Sequence, residues 1–296
     1  MFAVMGITGQ VGSAVADTLF ASGQQVRAVL RNPEKAATWK ARGAEIAVAD
    51  YDDPAALRAA FTGTEGVFAM LPPNFAPSPD FAESRKTIAS IHQALAATLP
   101  PKVVYLSSIG AEKSTGTGLI TGLHLLEEQL KSLPIPSAFL RAAWFMENFV
   151  WDVGSAREGR LFTFFQPLDR RIPMVATQDI GRTGAGVMQQ PWTGTRYIEV
   201  AGPRKYSALD VAQAFAAVLG HKVEVLAVPR ETWVQTFVAH GMPEDRTAPR
   251  AEMLDGLNSG WIDFGVAGTE RVTGVTELQS VLQTLVSRTE SKAAHR

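Results

Sequence analysis

Along the first half of the chain, apolar residues form short continuous runs separated by stretches where they recur every three or four positions. Phe2–Met5 is the first run. Gly6-Ile7-Thr8-Gly9-Gln10-Val11-Gly12 follows, and Val11, Val15, Leu19 and Phe20 then keep helical spacing up to Gly23. Gln25–Leu30 is a second run, closed by Arg31-Asn32-Pro33, with a helix predicted from Glu34 to Arg42 that stops at Gly43. Ala44–Ala49 is a third strand, and Pro54 opens a helix at the position where proline is tolerated. Gly66–Leu71 is a fourth strand, stopped by Pro72-Pro73. Beyond Pro77 and Pro79 a long helix runs through Leu99. Lys102–Ser107 is a fifth strand, and a loop rich in Gly, Ser and Thr (Ala111–Gly118) leads to a helix over Ile120–Ser132 and a sixth strand at Pro136–Arg141. Strands alternating with helices imply right-handed crossovers and a parallel sheet, and strands this apolar suit a sheet covered on both faces. The expected fold is α/β, a Rossmann-type doubly wound parallel sheet.

The rhythm changes after Arg141. Aromatic residues gather at Trp144-Phe145 and Phe162–Phe165, followed by an apolar stretch at Ile172–Val175, a helix from about Asp179 and a strand near Tyr197–Val200. Ser207 caps a helix over Ala208–Leu219, Lys222–Val228 is a strand, and helices are predicted around Glu231–His240 and near the C-terminus. The tail Ser287–Arg296 is polar and expected to fray. The expected organisation is a dinucleotide-binding domain over residues 1–142 and a smaller α/β lobe over 143–296 that forms a substrate cleft, with some of its segments returning to the sheet.

Composition narrows the function classes. The 296 residues carry 28 basic and 29 acidic side chains, a net charge of −1, so no electrostatic footprint for nucleic acid or an anionic membrane is expected. There are no cysteines, which removes disulfides, thiolate nucleophiles and cysteine-held metals. The five histidines (His92, His124, His221, His240, His295) show no metal-ligand spacing, and no metal is expected. No apolar run is long enough to span a bilayer, and the N-terminus lacks the basic start of a signal peptide, so a soluble cytoplasmic protein, monomeric or homodimeric, is expected.

The glycine turn carries the first chemistry. A strand, three glycines at spacing three and then an amphipathic helix is the arrangement that binds a pyrophosphate. The glycines permit the turn and close backbone approach, and the helix N-terminus offers free N–H groups and the positive end of its dipole. Gly6, Thr8, Gly9, Gln10, Val11 and Gly12 are therefore candidates for cofactor binding. The end of the second strand sets cofactor choice. An NAD site usually places Asp or Glu there, whereas this chain has Arg31, whose fixed cation suits a 2′-phosphate, so NADP(H) is the expected cofactor. The alternative is a solvated strand-end charge. Asp50 and Tyr51 end the third strand and either flank an adenine or serve as a helix cap and a packing ring. Met70, Leu71 and Pro72 are placed to line the cofactor, and Ser107 and Ser108 end the fifth strand near a nicotinamide.

Together these residues resemble the NmrA-like branch of the atypical short-chain dehydrogenases. The resemblance rests on Gly6–Gly12, Arg31-Asn32-Pro33, Asp50 with the Pro54 turn, Leu140-Arg141 with Trp144-Phe145-Met146-Glu147-Asn148, and Gln178-Asp179-Ile180-Gly181. Glu199-Val200-Ala201-Gly202-Pro203, the Ser207 helix and Leu219-Gly220-His221 extend it over nearly the whole chain. It implies an NADP(H)-binding Rossmann domain whose small second lobe forms the substrate cleft. By that analogy Gly6, Thr8, Gly9, Gln10, Val11 and Arg31 hold phosphates and ribose, while Trp144, Phe145 and Asn148 face the nicotinamide and substrate. The branch includes NADPH-dependent quinone reductases, isoflavone-type reductases and proteins that bind the dinucleotide as redox sensors without turnover.

One departure matters. An ordinary short-chain dehydrogenase uses a Tyr with a Lys four residues later, but none of Tyr51, Tyr105, Tyr197 and Tyr206 has that partner. His124, on the Ile120–Ser132 helix, is the acid–base candidate, with Ser108 as a second proton source; Glu127 and Glu128 are expected to be solvated or capping. The expected function is NADPH-dependent reduction of a quinone or similar conjugated carbonyl against an apolar wall of Trp144, Phe145 and the aromatics around Phe162. The substrate is expected to be small and apolar or aromatic. The alternative is an NADP(H) redox sensor without turnover.

Overall fold

The computed structural model describes residues 1–294, with side chains to Thr289. Its first half is a run of crossovers: β1 (Phe2–Val4), α1 (Gln10–Ala21), β2 (Val26–Leu30), α2 (Ala36–Ala41), β3 (Glu45–Val48), α3 (Pro54–Phe61), β4 (Gly66–Ala69), α4 (Ala82–Thr98), β5 (Val103–Ser108), α5 (Thr121–Leu130) and β6 (Ser137–Ala142). β1, paired on both edges, is apolar and buried at every position, as a strand covered on both faces must be. Local signals act where chemistry requires them. Asp53 caps α3 by accepting from the N–H groups of Ala55 and Ala56, with Pro54 at the first helical position.

The second half continues with β7 (Trp144–Phe145), α6 (Val153–Arg157), β8 (Arg160–Thr163), β9 (Ile172–Val175), α7 (Thr177–Met188), β10 (Thr195–Ala201), β11 (Lys205–Tyr206), α8 (Ala208–Leu219), β12 (Glu224–Ala227), α9 (Trp233–Ala239), α10 (Ala248–Ser259), β13 (Glu270–Thr273) and α11 (Leu278–Ala294). A 3-10 segment over Met146–Asp152 joins β7 to α6.

Eight parallel strands form the main sheet in the order β13-β10-β6-β5-β4-β1-β2-β3. The chain winds outward from β1 in one direction through β2 and β3, and in the other through β4, β5 and β6. A crevice therefore opens at the C-terminal ends of β1 and β4, the place where ligands bind in open α/β sheets. Two strands of the second half, β10 and β13, extend the same sheet beyond β6. The remaining strands make a small sheet β11-β9-β7 and a parallel pair β12-β8. Helices α8 to α11 surround a separate apolar core that includes Met174, Phe215, Trp233, Phe237 and Leu282. Close packing of α7 on α1 fixes the halves together: a Cβ on Gly181 would lie 2.3 Å from the Cβ of Ala14.

Several expected elements shift. The helix from Glu34 begins as a 3-10 turn over Pro33–Lys35, and β4 ends at Ala69, leaving Met70, Leu71 and Pro72 as loop. The strand β8, which takes in Phe162, and the elements α10 and β13 have no counterpart among the expected elements. The polar tail expected to fray from Ser287 is helical to Ala294, because α11 carries Leu282, Leu285 and Val286 into the second core. Positions 295 and 296 lie outside the described residues.

Candidate functional site

The crevice is floored by the glycine turn. Gly6 has φ +64°, and a Cβ there would lie 2.3 Å from Met70 Sδ. A Cβ on Gly12 would lie 2.2 Å from the Gly6 carbonyl oxygen and 2.8 Å from the Ile7 nitrogen, so only glycine lets α1 start this close to the turn. Gly9 N–H donates to Gly6 O at 2.8 Å and closes the turn. The next three N–H groups, of Gln10, Val11 and Gly12, have no acceptor among the described residues, and no side chain caps α1. Open donors thus stand at a helix N-terminus with Thr8, Gly9 and Gln10 exposed around them, which makes it a candidate anion site. Val11 packs its side chain into the sheet core, so only its backbone can serve a ligand.

Beside this turn lies a cavity lined by Arg31, Asp50, Tyr51, Asp52, Leu71, Pro72, Asn74, Glu83, Ser84 and Thr87. The exposed Arg31 guanidinium sits over the Tyr51 ring, 5.4 Å from its centroid. Glu34 does not replace an acid at the end of β2: it is tied to Asn32, whose Nδ2 donates to it at 3.2 Å. Tyr51 and Asp50 part ways. The Tyr51 ring is buried, its hydroxyl accepts the Gly6 N–H, and burial pushes its pKa up. Asp50 stays exposed and accepts the Asp52 N–H at 3.0 Å; the capping role belongs to Asp53. Asp52 accepts from Thr87 Oγ1 at 2.6 Å, which with Lys86 holds its carboxyl below the usual range.

At the far end of the crevice, two sequence expectations are corrected. The Ser107 hydroxyl is buried and donates to Glu127 Oε1 at 2.5 Å, so it is engaged inside the protein and does not line the cleft. Glu127 is not solvated. It is 2% exposed and accepts both Nε (3.0 Å) and Nη2 (2.6 Å) of Arg141 in a buried bidentate pair. Ser108 is half-buried with no hydrogen bond from its side chain among the described residues. His124 is half-buried on α5, and its Nδ1 lies 2.9 Å from the carbonyl oxygen of Ala111. A carbonyl only accepts, so Nδ1 carries the proton and Nε2 of the neutral ring presents a lone pair. His124 can therefore give up a proton through Nε2 only as imidazolium. No tyrosine takes its place: Tyr105 is fully buried in the sheet, and the Tyr206 hydroxyl donates to Glu277 at 2.7 Å.

The second half supplies the wall. The two-residue strand β7 pairs with β9, setting Trp144 and Phe145 side by side, both half-buried. Trp144 meets Phe165 edge-on at 5.1 Å, and its indole N–H is buried without an acceptor. The aromatic cluster beyond it is less a wall than expected. Phe162 is 47% exposed, and Phe164 packs on Trp233 and Phe237, leaving Phe165 as the member that reaches Trp144. Asn148 is half-buried, and its amide has no partner among the described residues.

Glu147, which the sequence left without a role, bridges the two ends. It accepts from Thr177 N–H at 2.9 Å and from Thr177 Oγ1 at 2.7 Å, capping α7, and Thr177 Oγ1 in turn lies 3.5 Å from Gln10 Oε1 in the glycine turn. Burial raises its pKa against the opposing pull of Thr177. Only its place between Trp144-Phe145 and Asn148 hinted at this. Among the described residues no group of three or more acidic or histidine side chains could hold a metal ion, and no helix is long and apolar enough to cross a membrane.

Comparison with known proteins fits this geometry. The profile of the NmrA-like family matches residues 1–255. The chain is 27% identical over 246 residues to an NAD(P)H azoreductase of Xenophilus azovorans, covering 82% of each. It is 24% identical over 262 residues to quinone oxidoreductase 2 of Escherichia coli K12, covering 88% of this chain and 89% of that one. Among solved structures, an NADPH-dependent quinone oxidoreductase of Escherichia coli in complex with NADPH superposes with a TM-score of 0.79 at 24% identity, over 96% of this chain and 99% of that one. A triphenylmethane reductase of Citrobacter superposes with a TM-score of 0.79 at 22% identity, over 97% and 99%.

Proposed function

The chain belongs to the NmrA-like family, and on that footing we propose that it is an NADPH-dependent reductase of quinones or similar conjugated carbonyls, working by direct hydride transfer. The observation that carries this reading is the pairing of an open α1 N-terminus with Arg31 at the adjoining cavity. The unpaired N–H groups of Gln10, Val11 and Gly12 receive the pyrophosphate, and Arg31 receives the 2′-phosphate. The relatives named above as NAD(P)H or NADPH enzymes support the same cofactor class.

When bound, NADPH supplies a hydride. The residues of the chain do the rest. Trp144 and Phe145 give a flat apolar surface against which an aromatic substrate lies, and the half-buried Asn148 amide offers a donor to its oxygens. One proton completes the conversion of a quinone to a hydroquinone. The anion left by hydride arrival is already stabilised, so acid catalysis contributes little, and Ser108, imidazolium His124 or solvent supplies the proton.

The test mixes purified protein with NADPH and a panel of quinones and follows loss of the reduced cofactor. Turnover of at least one quinone is expected. Tight NADPH binding with no turnover across the panel would overturn the reductase reading in favour of a redox sensor. His124→Ala is expected to lower kcat by about ten-fold, below the usual range for general acids. An unchanged kcat removes His124 from proton transfer.

A further inference from the structure

The buried charges behind β5 and β6 take no part in the reading above, although all of them adjoin it. Arg141 on β6 is 5% exposed. It holds Glu127 with two nitrogens, and its Nη1 lies 3.7 Å from Glu112 Oε2. Glu112 has a second cation, Lys113 Nζ, 3.4 Å from its Oε1. Below the guanidinium the Tyr197 ring lies 4.5 Å away, stacked on Phe139, which is stacked on Tyr105. The guanidinium is thus fixed from beneath by a column of rings in the sheet.

The two carboxylates it grips sit at telling places. Glu127 lies three residues after His124 on α5, on the same helix face one turn along. Glu112 directly follows Ala111, whose carbonyl receives the His124 ring. Arg141 therefore clamps the donor side and the acceptor side of the His124–Ala111 bond to one rigid point. Through Glu127 it also reaches Ser107, the residue before Ser108. We propose that Arg141 is a positioning residue for the reaction end of the cleft: through Glu112 and Glu127 it fixes the His124 tautomer and the place of the Ser108 hydroxyl. A buried ion pair adds little net stability over an apolar pair of the same shape, so its use here is geometric register. The proposal rests on His124 and Ser108 facing the substrate as described above.

The clamp is tested with three variants. Arg141→Met leaves the buried Glu127 carboxylate without its cation and is expected to fold poorly, so the informative variant is Arg141→Met combined with Glu127→Gln, which removes one charge of each sign. It is expected to keep a melting temperature close to the parent and an unchanged NADPH dissociation constant, with kcat for quinone reduction lowered by up to about ten-fold, the loss expected of His124→Ala. Arg141→Lys, which keeps the charge but loses the fork, is expected to fall between them. A folded double variant with the parent kcat overturns the proposal. A readout independent of turnover is the imidazole 15N spectrum, assigned with His124→Gln. The parent is expected to show His124 in the Nδ1–H tautomer and the double variant a mixture with the Nε2–H form. An unchanged tautomer overturns the clamp even if no quinone is reduced. Absence of turnover in the parent, with the tautomer change present, overturns only the reductase reading.

Discussion

The two ends of the cleft are made of different materials. At the β1 end the shape is set by backbone: glycines at closest approach, a turn closed by Gly9 on Gly6, and a helix whose first N–H groups are left open. Side chains there, such as Tyr51 and Met70, serve as props. At the β5–β6 end the shape is set by side chains drawn from distant parts of the chain: Ser107, Glu112, His124, Glu127 and Arg141. An end built of backbone tolerates changes of side chain but not an added Cβ. An end built of contacts among side chains is open to single substitutions that leave the backbone-built end intact.

That contrast breaks most sharply at Gly12. Gly12→Ala places a methyl into the Gly6 carbonyl, and NADPH affinity is expected to fall by about 100-fold or more, in line with the penalty for overpacking. Gly186→Ala is the control, since a Cβ there meets nothing within 4 Å. Equal NADPH affinity in both variants, measured by fluorescence titration, would end the idea of a backbone-built end. Arg31→Asp is expected to weaken NADPH by about 10- to 100-fold and to favour NADH, as loss of a charge-assisted contact and a new repulsion imply. An unchanged NADPH-to-NADH affinity ratio would reduce Arg31 to a surface charge. Tyr51→Phe leaves the Gly6 N–H without its acceptor, and a loss of about five-fold in NADPH affinity follows from one hydrogen bond. No loss would make Tyr51 a packing residue alone.

The smallest effect is on stability and concerns the second half. Burial pushes the Asp152 carboxyl up to about 7. A raised folded-state pKa means the folded protein keeps its proton while the unfolded chain releases it. The stabilisation is full below the unfolded carboxylate range and is lost as pH rises toward 7. The melting temperature is expected to drop by a few degrees from pH 5 to pH 8, and Asp152→Asn to flatten that slope. A parent whose melting temperature is the same at both values would show that this carboxyl remains solvated.

The same contrast explains what the sequence made legible. The parallel sheet, the glycine turn and Arg31 at the end of β2 follow from local rules, because periodicity and the stereochemistry of glycine act over a few residues. Asp53 as the helix cap is within reach of the same rules, since it directly precedes Pro54, although Asp50 three residues earlier offers the same side chain. Glu127 was not within reach. A glutamate on a helix beside a second glutamate looks solvated until β6 brings Arg141 against it, and nothing in the spacing of residues 127 and 141 announces that meeting. The engagement of the Ser107 hydroxyl by Glu127 is hidden for the same reason, and α10 and β13 carry only weak apolar periodicity. Glu147 shows no role in the sequence, since its partner Thr177 lies thirty positions away.

The return of β10 and β13 to the main sheet has a consequence for anyone shortening the protein. All six residues of β6 are buried, and its outer edge is paired along its length by β10, from Thr195 opposite Ser137 to Val200 opposite Ala142. A fragment stopping at Ala142 would carry every residue of the glycine turn and Arg31, yet it would end in a bare, apolar edge strand. Unpaired strand edges of that kind recruit other chains. Such a fragment is expected to aggregate, and the nucleotide site is heritable as a unit only together with the strands that arrive last.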